Sequence, residues 1–161
     1  MSLLTYEEAK RKIFEREEIA DFVGERSNEL IKLAEKTLEV TFSGSYLDFI
    51  KTFGAGNFGS QEIFGIINGD FKNSSVPDAI WYTLSERKDN LPKNLVVIHE
   101  FGNGQVFCLD FNELNDDREP KVVAFMPALE LKYQALEVVA SGFGDFLLNV
   151  VNEEIFAGNY P

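Results

Sequence analysis

A chain of 161 residues, 45% of them hydrophobic and 15 of them phenylalanine, is long enough to bury about 70% of its unfolded surface around one core without a metal or disulfide staple. A single cysteine excludes an internal disulfide and points to a reduced, cytoplasmic protein. A net charge of −12 excludes nucleic acid as a direct partner, because a phosphate backbone is bound by a basic stripe that replaces its counterions.

In chain order, the start Met1-Ser-Leu-Leu-Thr-Tyr-Glu-Glu has neither the basic nor the apolar part of a signal peptide, and no apolar run approaches membrane-spanning length. Neither export nor membrane insertion is expected. Thr5-Tyr-Glu-Glu8 has the form of a capping box, so a first helix is predicted from Thr5 to about Arg16, with Tyr6, Ala9 and Ile13 on one face. Gly24 breaks this pattern. Ser27 is positioned to cap a second helix whose buried stripe is Leu30, Ile31, Ala34, Thr37 and Leu38, leaving Glu29, Lys32, Glu35, Lys36 and Glu39 in solvent. Tyr46, Phe49, Ile50 and Phe53 recur at three- and four-residue steps and predict a third helix from Ser45 to Phe53. Ser43 is its candidate cap and Gly54 its left-handed terminator. A strand is expected from Glu62 to Ile67, closed by the turn Asn68-Gly69-Asp70.

Pro77 and Asp78 suit the first turn of a helix that Ala79, Ile80, Tyr82, Thr83 and Leu84 continue to about Lys88. The β-branched run Leu95 to Glu100 reads as a buried strand, and Asn103-Gly104 suggests a tight hairpin to a partner strand from Gln105 to Phe111. Glu113 to Pro120 reads as a loop and Lys121 to Phe125 as a strand. Ala135 to Ala140 reads as another strand, with helix as the alternative. Ser141 is then the candidate cap of a closing helix carrying Phe143, Phe146, Leu147, Val150, Val151 and Ile155. One domain over residues 1–156 is expected, with a tail from Ala157 to Pro161. Helices at both ends and strands between them predict an α+β fold: a mainly antiparallel twisted sheet with the terminal helices packed on it.

Several motifs fall in a recognisable order: the acidic amphipathic helix, Tyr46-Leu-Asp-Phe-Ile50, the Gly54 to Gly59 turn and Ile63-Phe-Gly65, then Leu95-Val-Val-Ile98, Gly102-Asn-Gly-Gln105, Phe107-Cys-Leu-Asp110, Val122-Val123 and Phe143-Gly-Asp-Phe-Leu147. Over roughly residues 25 to 155 this order resembles the SUKH superfamily of toxin-immunity and cell-wall-assembly-regulator domains. Phe42-Ser43 stands where that family usually has Leu-Pro. The resemblance implies a SUKH-like α+β fold and a non-enzymatic protein that binds other proteins.

The residues themselves offer little catalytic material. His99 and Cys108 are the sole histidine and cysteine. If Asn103-Gly104 is a two-residue turn, they sit opposite one another with Asp110 on the same face, as a nucleophile, base and orienting carboxylate would. A shift of one residue in register separates them, and Phe107 and Leu109 mark Cys108 as core. Asp110, Glu113, Asp116 and Asp117 lack the order of a calcium loop. The glycines at 54, 56, 59, 102 and 104 serve turns, without the Gly-Lys-Ser/Thr ending of a phosphate loop. No catalytic residue, cofactor or metal is expected.

Trp81 and Tyr82 point about 100° apart on a helix, so one meets the core and the other solvent or a partner. With Glu86, Asp89 and the acidic Glu113, Asp116, Asp117 and Glu119, they form the candidate contact residues for a basic protein. The resemblance makes that partner a cognate toxin, a basic nuclease domain with an LXG-type export domain. The second reading is a regulatory scaffold of the cell-wall-assembly type. A hydrolase using Cys108 and His99 comes last, and a homodimer is compatible with the sequence.

Overall fold

The computed structural model describes residues 2–158. The first helix, α1, covers Ser2–Phe14 and buries Tyr6, Ala9 and Ile13 as their spacing requires. It begins one turn earlier than the capping box suggests. Thr5 lies inside the helix, where its hydroxyl donates to Asp145 at 2.7 Å. A short 3-10 turn at Glu17–Ile19 leads into strand β1, Ala20–Phe22, too brief to show any periodicity.

Helix α2, Asn28–Leu38, is capped by Ser27, whose hydroxyl accepts from the Leu30 N–H at 3.1 Å. It buries Ile31, Ala34 and Leu38. Helix α3, Gly44–Thr52, turns its aromatic stripe wholly inward: Tyr46, Phe49, Ile50 and Phe53 are all buried. Gly54 follows with φ +76°, and a Cβ there would overlap the Gly24 carbonyl, so both the left-handed turn and the close approach require glycine.

The predicted strand at 62–67 is replaced by two short strands, β2 (Gly56–Phe58) and β3 (Gln61–Ile63). Beyond Ile63 the chain spends its backbone donors elsewhere. Phe64 N–H bonds the Ile98 carbonyl, Gly65 bridges to Asp78 and Ile66 N–H bonds the Gly54 carbonyl. Helix α4, Ala79–Arg87, starts at Asp78, which accepts from the Ile80 and Trp81 N–H groups.

Strands β4 (Leu95–Glu100), β5 (Val106–Leu114), β6 (Pro120–Phe125) and β7 (Glu137–Ala140) follow. β5 runs three residues further than expected and takes in Glu113. Helix α5, Phe143–Ala157, has Gly142, not Ser141, at its cap position. The expected tail begins inside this helix, and its residues 159–161 lie outside the described part.

The fold is α+β, and its strands divide into two antiparallel sheets, β1-β2-β3 and β4-β5-β6-β7, where a single sheet was expected. They meet edge to edge at the Phe64–Ile98 backbone bond, 2.9 Å long. α1 and α5 lie parallel, because Thr5 bonds Asp145 and Lys12 bonds Asn152 at the same separation along the chain. Rings of Phe22, Tyr46, Phe49, Phe53 and Phe143 join α3 to α5 and to β1, with Tyr46–Phe143 centroids 4.9 Å apart and Phe49–Phe143 5.2 Å apart. Among the described residues, no helix is long and apolar enough to cross a membrane.

Candidate functional site

The β4–β5 register decides the fate of the histidine and the cysteine. Val97 pairs with Cys108, and a bulge at Ile98 then sets His99 against Phe107. The loop between the strands spans 101–105 and is closed by a Phe101 N–H to Gln105 carbonyl bond, so it is longer than the two-residue turn on which a His99–Cys108 pair depends. Cys108 is fully enclosed, and burial pushes its thiol well above the ordinary range. Asp110 is also buried and accepts from the Asn94 side chain and the Asn112 N–H, which makes it a clamp on the strand end. The dyad geometry is therefore overturned.

The same bulge places His99 at the floor of a cleft of about 470 Å³, where the two sheets meet under α5. The residue is 6% exposed and its ring packs edge-on to Phe146, with centroids 5.3 Å apart. Nδ1 lies 2.8 Å from the Glu62 carbonyl. A carbonyl only accepts, so Nδ1 carries the hydrogen and Nε2 presents a lone pair. Burial lowers the imidazole pKa, opposed by the Glu62 carbonyl and by the charges of Glu153 and Glu100, which favours the neutral ring. Phe101, 54% exposed, stacks on Phe107 at 5.3 Å and 17° and forms an aromatic wall. Glu62, Glu100 and Glu153 complete the rim from β3, β4 and α5. Among the described residues no lysine or arginine lines this cleft. It offers hydrogen-bond acceptors, negative charge and ring faces.

The residues predicted as contacts separate into two groups. Trp81, Tyr82 and Glu86 are half-buried on α4, and Asp89 is exposed just beyond its end. The Tyr82 hydroxyl lies near Glu100; burial and then that carboxylate push its pKa up. Burial, then Asp89 and Glu100, likewise raises the Glu86 carboxyl. Glu100 thus joins the α4 group to the rim of the His99 cleft. Glu113 and Asp116 are exposed and Asp117 half-buried near the other end of β5, which at about 3.3 Å per residue lies roughly 25 Å away. Glu119 is 3% exposed and accepts from the Ser45 N–H at 2.9 Å and from the Ser45 hydroxyl. It caps α3 from within and is not available to a partner. Among the described residues, no group of three or more His, Cys, Asp or Glu side chains converges to hold a metal.

Glu62, Glu100, Phe101, Phe107 and Glu153 were not among the predicted contacts. One signal was available: Glu153 continues the Phe146–Val150 helical stripe at the next step, so an acidic side chain shares a face with core residues. The rest depends on the bulge and on the meeting of the two sheets.

No curated protein matches the chain. The family model described as SUKH_5, SMI1-KNR4 cell-wall, matches residues 4–152. That match spans every helix and strand described above except the last turn of α5 and the first residues of α1, and so the chain belongs to the SUKH (SMI1-KNR4) family.

Proposed function

We propose that this protein is an immunity protein, acting in the cytoplasm, that binds a cognate bacterial polymorphic toxin and neutralises it by steric cover and charge complementarity. The toxin is a basic nuclease domain carried behind an LXG-type export domain. The protein performs no chemistry of its own. The observation that carries this reading is the acidic, aromatic-walled cleft beside the Trp81–Tyr82–Glu86 face, in a chain of net charge −12. Such a surface suits a groove built to hold phosphates, since both partners then gain complementary potential and faster encounter. Family membership supports it, because stoichiometric inhibitors need a rigid complementary face and nothing else.

Co-expression with the nuclease toxin encoded beside it should rescue the host, and the purified chain should block nuclease turnover at a one-to-one ratio. A chain that neither binds nor inhibits that toxin removes the proposal. The cell-wall description of the matching family favours a second reading, a regulatory scaffold for cytoplasmic signalling proteins. Pull-down from the native host separates the two, since the scaffold recovers signalling proteins in preference to a nuclease.

A further inference from the structure

We propose that the cleft beside His99 is the receptor for a single arginine side chain of the partner protein. The proposal rests on the partner-binding reading for where the arginine comes from, and on geometry for the rest. His99 is more than nine-tenths buried, and its Nδ1–H is committed to the Glu62 carbonyl at 2.8 Å. Its Nε2 makes no hydrogen bond to another described residue, and the residue lines the cleft. An acceptor held at the base of a cleft selects a donor.

Every charged group lining that cleft is anionic: Glu62 from β3, Glu100 from β4 and Glu153 from α5, while β5 and β7 contribute no titratable side chain there. An anion or a neutral acceptor is therefore repelled, and a cationic donor satisfies both the nitrogen and the rim. The aromatic wall then distinguishes between cations. A guanidinium is planar and weakly hydrated, so it can lay its face on the exposed Phe101 ring while its edge donates to Nε2 and a carboxylate. A lysine ammonium is compact and holds its water more strongly. The cleft volume, about 470 Å³, lies within the usual range of about 300–1,000 Å³ for ligand-holding clefts.

Because the chain has one histidine, its ring gives a single set of NMR signals and reports directly on the site. N-acetyl-arginine amide titrated into the full chain should shift those signals saturably, with a Kd of about 1–10 mM as fits one isolated side chain. The citrulline analogue, equal in shape but uncharged, should leave them unchanged, and the lysine analogue should bind more weakly. Glu153→Gln should weaken binding about fivefold, the factor that one partly exposed ion pair supplies. Affinity should also fall as the pH drops through the His99 titration, since protonation removes the acceptor and adds a like charge; reciprocally, saturating arginine amide should lower the His99 titration midpoint. A purely structural histidine would show neither effect.

The proposal is overturned if no saturable shift is seen up to about 50 mM probe, a concentration at which even weak millimolar binding is visible, or if citrulline shifts the ring equally. It is also overturned if free arginine, whose carboxylate meets the acidic rim, binds more tightly than the blocked amide, because the site would then serve a small molecule. A flat titration in a chain that still protects against its nuclease removes the arginine site alone. A saturable titration in a chain that binds no toxin removes the toxin reading and leaves the cation site standing.

Discussion

Two glutamates show how much a single side chain does in this protein. Glu119 closes on Gly44-Ser45 and Glu154 on Gly59-Ser60, each accepting from the serine N–H at 2.9 Å and from its hydroxyl. Gly44 has φ +58° and a Cβ there would fall 2.6 Å from the Glu119 carboxyl carbon, so glycine is what admits the clamp. Glu119→Ala leaves two buried donors without an acceptor and should cost about 2–3 kcal/mol in urea unfolding. Glu119→Gln should cost less, because its amide oxygen can still accept. Equal losses in the two variants would mean that the clamp does not work through this hydrogen bond. His99 carries a second prediction at this scale. Burial lowers its folded-state pKa below the ordinary 6.5, so between the two values the unfolded chain binds more protons and unfolding free energy rises with pH. The contribution is complete above the ordinary value and is lost as pH falls through the folded one. Urea midpoints at about pH 7.5 and about pH 5 should show this slope, and His99→Gln should flatten it. An unchanged slope in the variant would reassign it to the carboxylates.

Helices were legible as elements because each apolar stripe is a local, periodic signal. The third was expected at 45–53 and is found at Gly44–Thr52; the second is capped by the expected Ser27. Caps that depend on neighbours were not legible. Among the described residues, the Ser43 and Ser141 hydroxyls make no capping bond to α3 or α5; at α3 the role passes to Glu119, 74 positions away. Ser27→Ala should therefore lower stability by about 1 kcal/mol, whereas Ser141→Ala should stay within about 0.5 kcal/mol. Thermal or urea unfolding of the pair checks this, and similar losses at both positions would contradict the assignment. The short strands β1 and β2 have no signature in the sequence, because three residues carry no alternation to read.

For the whole molecule, charge and shape act together. A net charge of −12 predicts that association with the proposed basic toxin domain slows at least about tenfold between roughly 0.02 M and 0.5 M salt, while dissociation changes little. Stopped-flow binding measures both rates; a salt-independent association rate would place recognition in shape alone. The α4 face and the His99 cleft belong to one continuous region through Glu100, whereas Glu113, Asp116 and Asp117 lie near the far end of β5. Reversing Glu100 should consequently disturb binding more than reversing Asp116.

Composition and periodicity alone determined the α+β class, the inward aromatic stripe of α3, the capped second helix and the burial of Cys108, because each follows from neighbours a few residues apart. The tertiary structure alone decided which carboxylates are clamps and which are surface, where His99 points, and that two sheets meet to form a cleft. Those outcomes turn on one bulge at Ile98 and on contacts between residues more than 30 positions apart, such as His99 with Glu62, which no local pattern encodes.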